Sequence, residues 1–250
     1  MKKIITSLIF LLVTVDGFSK CASFGIYFWP NKKTIHQNSI LVMEGFGTSQ
    51  KIVSGLGTTY IPYLKTGTQK IKLKVQEILV GQYELTQALL KPETNLSVGQ
   101  EYELTIENLL DFENEVPIIN NYTGENESIK WIVIAQQDIS APTWTNGPKF
   151  KNSTYEEYGC GPETFVNFTF SANSNSEFLI RTVVKNLSTG KETAYYLPNR
   201  DNVIEVGHDM CSGAFVFYDG NKFEVEFCLF NEYGNFTKWQ GEKIEFLRPK

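Results

Sequence analysis

Leu96-Ser97-Val98-Gly99-Gln100-Glu101-Tyr102-Glu103-Leu104-Thr105-Ile106 decides how this chain folds. An aromatic three residues after a glycine, opening a strand that alternates Tyr102, Leu104, Ile106, is the corner device of β-sandwich domains. The phenol closes over the preceding turn and hydrogen-bonds to its backbone. The spacing recurs 121 residues later as Phe217, Gly220, Phe223, running into the alternating strand Phe223, Val225, Phe227, Leu229. Two copies one domain length apart predict two sandwiches in tandem.

The rest of the chain agrees with an all-β class. Apolar alternation over 23–29, 39–46, 58–64, 71–80, 83–90, 102–106 and 129–135 predicts seven strands, separated by Gly, Asn, Pro and Thr clusters. An acidic, asparagine-rich stretch over 109–128 is expected to be an extended polar loop. The boundary is placed at Asp138-Ile139-Ser140-Ala141-Pro142, with Trp144 in the linker. A second series follows over 165–170, 177–184, 192–197, 202–206, 215–217, 222–230 and 243–247, with 186–190 as a hairpin turn in which Gly190 supplies positive φ. No helix of appreciable length is expected beyond the leader.

The first nineteen residues pair Lys2 and Lys3 with an apolar run over 4–15 and a small-residue end at Gly17 and Ser19. This reads as a secretory signal peptide cleaved after Ser19, because a spanning helix needs about 20 apolar residues. The expected organisation is therefore a signal peptide over 1–19, one sandwich over 20–139 and a second over 140–250. Cys21 lies where a lipid-modified cysteine would sit and is a candidate for lipid attachment, although Lys20 occupies the place where a lipobox has a small residue. A net charge of −5, from 23 basic and 28 acidic residues without a basic stripe, points away from nucleic acid.

The first half resembles the bacterial Ig-like domains whose late strands carry a Leu-x-x-Gly-x-x-Tyr corner. The second resembles a fibronectin type III or related Ig-like module, on the turn Asn231-Glu232-Tyr233-Gly234-Asn235 followed by Trp239. The resemblance covers nearly all of the mature chain and implies a fold, not an activity. Phe223 departs from it, since a phenylalanine lacks the back-bonding hydroxyl. A disulfide is the expected compensation in an oxidising compartment. Three pairings exist for four cysteines. In a seven-strand sandwich of this type Cys160 and Cys211 lie in connections at the same pole, which makes them the expected pair, worth about 4 kcal/mol by chain entropy. Cys228 is out of phase with the core residues of its strand and is read as a surface thiol.

Chemistry-bearing residues are sparse. His36 and His208 fall in different halves without a glycine-flanked serine, so no triad is expected. His208-Asp209-Met210-Cys211 reads as a polar loop, since no second cluster completes a metal site. The carboxylates Glu156-Glu157 and those over 111–115 read as solvated, with calcium at Asp138 and Glu157 as a weaker alternative. No cofactor signature is present. Tyr233, Phe236 and Trp239 are the candidate ligand-binding aromatics, and coplanar exposed rings there would suit a sugar. Seven Asn-x-Ser/Thr sequons, at Asn95, Asn121, Asn126, Asn152, Asn167, Asn186 and Asn235, would carry glycans in a eukaryotic secretory chain and fit polar strand surfaces in a bacterium.

The reading is an exported, non-enzymatic protein of binding or adhesion type, presenting sandwich loops to a protein or glycan at a cell surface, in the periplasm or outside the cell. The alternatives are an accessory component of a polysaccharide-degrading system, either a carbohydrate-binding module or a weak glycosidase, and a structural spacer. The spacer predicts a tight contact between the halves and no concave pocket.

Overall fold

The computed structural model describes residues 24–119, 126–135 and 140–250. The leader, Cys21, Asn121, Asp138 and part of the expected boundary lie outside them. The described residues are all-β.

The N-terminal half runs β1 (Phe24–Trp29), β2 (Thr34–His36), β3 (Leu41–Gly47), α1 (Gln50–Ser54), β4 (Ile61–Thr66), β5 (Gln69–Val80), β6 (Leu85–Pro92), β7 (Glu101–Glu107), β8 (Ile118–Ile119) and β9 (Lys130–Ile134). These strands form one nine-stranded sheet in the order β2-β9-β7-β4-β5-β6-β3-β1-β8. The expectation of two separate stacked layers is corrected by β5, which joins them. Its beginning pairs with β4 and the remainder with β6, with a register shift between Val75 and Glu77. A bulge bends and twists a strand, so the sheet folds over itself around Leu41, Met43, Leu64, Leu73, Leu90, Tyr102 and Trp131.

The corner forms as its spacing predicts. Gly99 takes φ +81°, Leu96 and Tyr102 are buried, and the Ser97 N–H donates to the Tyr102 hydroxyl at 3.1 Å. The polar stretch after Leu109 is less solvated than its composition suggests. A 3-10 turn over Asp111–Glu113 buries Glu113, which accepts from the buried Tyr60 hydroxyl at 2.7 Å and the Leu110 N–H at 2.9 Å.

The C-terminal half runs β10 (Thr143–Tyr158), β11 (Gly161–Asn173), β12 (Phe178–Asn186), β13 (Glu192–Pro198), β14 (Val203–His208), β15 (Lys222–Asn231), β16 (Phe236–Lys238) and β17 (Ile244–Leu247). One sheet is ordered β10-β11-β14 and the other β13-β12-β15-β16, with β17 beside β15. Val166, Phe168, Ile180, Val206, Phe227 and Leu229 form the core of this half. Two expectations change here. The segment read as a linker opens the longest strand, β10, and Trp144 packs edge-on against Phe170. Residues 215–217 form no strand, although Phe215 and Phe217 are fully buried.

The second corner is closed without a hydroxyl and without the expected Cys160–Cys211 bridge. Phe223 packs edge-on against Phe217, with ring centres 5.0 Å apart, and stacks on Phe246. Asn186 donates from its side chain to the Asp219 carbonyl at 3.2 Å. Gly190 has φ +74°, as the hairpin turn requires.

Candidate functional site

The most elaborately built region is the seam between the halves. In six strands two adjacent apolar or aromatic residues are both buried, which strict alternation forbids for a sheet with one wet face. In Phe28-Trp29, Leu41-Val42, Leu89-Leu90, Leu179-Ile180, Tyr195-Tyr196 and Leu229-Phe230 one member enters its own half's core. The other enters a third cluster of Trp29, Val42, Leu89, Leu179, Tyr196 and Phe230, drawn from both halves. Phe230 sits at its centre, 4.9 Å from the Tyr196 ring and 6.0 Å from that of Trp29.

Polar groups fasten this cluster at three points. At the first, Gln87 on β6 accepts from the Tyr196 N–H at 3.0 Å and donates to the Tyr196 carbonyl at 2.9 Å. One side-chain amide thus closes part of the β13 edge as a further strand would. Gln87 also donates to Glu44 at 2.8 Å, and the Tyr195 hydroxyl faces that carboxylate. Burial pushes the Glu44 carboxyl above its ordinary range, with the neighbouring amide and phenol opposing the rise. Tyr196, buried beside Glu77, is raised as well.

The second point centres on Glu232, which is fully buried. It pairs with Lys32, accepts from the Ser39 hydroxyl at 2.8 Å, and its backbone carbonyl accepts from the Ile40 N–H at 2.7 Å. Glu177 reaches the same loop, accepting from the backbone N–H groups of Asn31 and Lys32 at 2.9 and 2.8 Å. At the third point the β5–β6 turn docks on the C-terminal half, where Tyr83 and Gly213 exchange two backbone hydrogen bonds and Val216 N–H donates to the Gln82 side chain at 2.7 Å. The two histidines lie at these last two points: His36 packs against the Tyr233 ring, tilted by 40°, at 4.8 Å, and His208 meets the edge of Tyr83 at 5.7 Å.

Of the candidate aromatics, Tyr233 is therefore part of the seam. Trp239 meets Trp144 edge-on at 6.1 Å and lies across Gly147, where an added Cβ would come within 2.1 Å of its ring. Phe236 is 52% exposed and covers Phe230. Each ring has a different neighbour. Phe236 also lines a shallow groove of about 320 Å³ with Arg181, Val183, Glu226, Cys228 and Lys238.

The expected Cys160–Cys211 bridge is not formed. Cys160 is an exposed thiol at the tip of the β10–β11 hairpin, beyond the last residue pair. Cys211 is disulfide-bonded, but not to Cys160 or Cys228, which are both thiols. Cys211 sits in a turn set by Asp209, whose side chain accepts from the N–H groups of Cys211 and Ser212 at 2.6 and 2.8 Å. Cys228 faces away from the core as its phase predicts, and burial raises its thiol pKa. Glu157 accepts from Tyr155 at 2.5 Å. Among the described residues no group of three His, Cys, Asp or Glu side chains is placed to hold a metal, and no helix is long and apolar enough to cross a membrane.

No family model and no curated protein match the sequence. Among solved structures the chain is similar to pullulanase type I from Bacillus subtilis str. 168 complexed with maltose, at 13% identity and a TM-score of 0.25, over 93% of this chain and 28% of that one. It is similar to pullulanase from Anoxybacillus sp. LM18-11 complexed with maltotriose at 10% identity and 0.24, over 87% and 25%. For the N-terminal part of the bacterial S-layer protein SbsC the values are 9% and 0.23, over 90% and 43%. The chain spans about a quarter of the pullulanase chains. Likenesses this distant assign no function.

Proposed function

We propose that this chain is an exported, non-enzymatic protein of binding or adhesion type whose two Ig-like halves act as one rigid body and present exposed rims to a protein or glycan outside the cytoplasm. The seam supports the rigid body, as the structural spacer would also have it, and the groove beside Phe236, a concave feature that the spacer does not predict, supports binding. A mobile tandem would leave Glu232 and the Tyr196 backbone to water, whereas here each is satisfied by groups of the other half. A rigid body loses less freedom on binding than a hinged one. Export rests on the leader over 1–19. Glycan-array binding and pull-down of surface proteins by the full chain test this reading. Saturable binding in either assay is the expected result, and silence in both favours the structural spacer.

A second reading, a carbohydrate-binding accessory component, is supported by the exposed Phe236 in its groove with Arg181, Glu226 and Lys238. Sugars stack on such rings. It predicts oligosaccharide binding by calorimetry that Phe236→Ala abolishes.

A further inference from the structure

The C-terminal half manages its sheet edges unequally. At β13 the edge is partly closed by Gln87. At the end of the other sheet, β10 has no strand beside it among the described residues. An open edge is a template for another strand, and proteins blunt such edges with proline and bulges. The first part of β10 carries both: Pro148, and register shifts between Trp144 and Asn146, Asn146 and Lys149, and Phe150 and Asn152. Beyond that point the protection stops. Asn152 to Tyr158 pair in unbroken register with Asn167 to Gly161, and most of their surface is open to solvent.

Charge along this segment is polarised. Lys149 and Lys151 precede it, and Glu156 and Glu157 lie near its end. Tyr158 and Tyr155 donate to these two carboxylates at 2.6 and 2.5 Å, holding them along the strand. Glu156 stands directly opposite Glu163 on β11, a like-charge pair that costs stability until a cation approaches. A strand completing this edge therefore needs basic residues beside Glu156 and Glu157, and acidic ones beside Lys149 and Lys151. Run antiparallel, β10 itself meets that need at one pair of positions, Lys151 and Glu157, and sets no like charges against each other. Pairing about Thr154 sets Lys151 against Glu157 and Asn152 against Glu156 in both directions, as a two-fold interface requires.

We propose that the open edge of β10 is a self-association surface, on which a second copy of this chain adds its own β10 antiparallel and joins the two three-stranded sheets into one. The seam lies elsewhere and is undisturbed. Sedimentation equilibrium of the full chain over a wide concentration range is expected to show a reversible monomer–dimer equilibrium. Reversing the acidic end with E156K/E157K should weaken it by roughly tenfold or more through cross-strand repulsion, and adding K149E/K151E to the same chain should restore it. Amide exchange of the unaltered protein gives a readout that needs no variant: the peptide spanning 152–158 should gain protection as concentration rises. A monomer at every concentration overturns the proposal, as does a dimer indifferent to both charge reversals or lacking new protection over 152–158.

Discussion

Tyr102 shows how much one side chain does at a corner. Its hydroxyl accepts from the Ser97 N–H, and its ring is fully buried beside Leu96. Tyr102→Phe removes that acceptor but leaves Ser97 open to water, so a loss of about 1 kcal/mol is expected in urea melts. Two glutamates carry opposite pH signatures. Glu113 is held below the ordinary value of 4.5 by the Leu110 N–H, with Tyr60 and Lys51 assisting. Its stabilisation is present above that value and is lost as pH falls through the lowered pKa. Glu113→Gln should therefore weaken the protein at pH 7, with a difference that shrinks in acid. Glu44 is raised by burial, so between 4.5 and its folded value the native state holds a proton that the unfolded chain has released. Stability falls as pH rises across that window. Glu44→Gln should compare more favourably with the native protein at pH 7 than at pH 4, in the same melts.

At the scale of elements, the turn between β5 and β6 docks on a bare backbone. At Gly213 an added Cβ would lie 2.1 Å from the His208 Cβ and 2.7 Å from the Gly207 carbonyl oxygen. Gly213→Ala is expected to cost about 2 kcal/mol in thermal or chemical unfolding, because neither neighbour is the flexible end of a side chain. Strand alternation made most of these elements legible, including the outward phase of Cys228. It did not reveal β10, whose Pro148 and polar, bulged sequence lack a period of two. Nor did it reveal that β5 carries both layers of the N-terminal sheet, since a bulge leaves no mark in composition. The seam did leave a mark, in the doubled apolar pairs such as Leu179-Ile180 and Leu229-Phe230. Glu232, Gln87 and Lys32 left none, because their partners lie far away in the chain. The Cys160 pairing failed for a related reason: sharing a pole does not bring two sulfurs into bonding geometry.

The whole molecule behaves, on this account, as one body. A cluster built from both halves, an ion pair whose carboxylate is fully buried and backbone exchange at Tyr83 are far more than a linker contact supplies. Glu232→Ala leaves the part-exposed Lys32 ammonium without its partner and the buried Ser39 hydroxyl without its acceptor, and should cost about 2 kcal/mol in global unfolding. The sharpest readout is the Tyr196 amide, whose acceptor is the Gln87 side chain of the other half. Native-state hydrogen exchange measured by NMR should place the Tyr196 N–H in the slowest class, with core amides such as that of Leu229, opening only with global unfolding. Exchange at the rate of exposed loop amides, while Leu229 stays protected, would show that the halves part freely and would contradict the account.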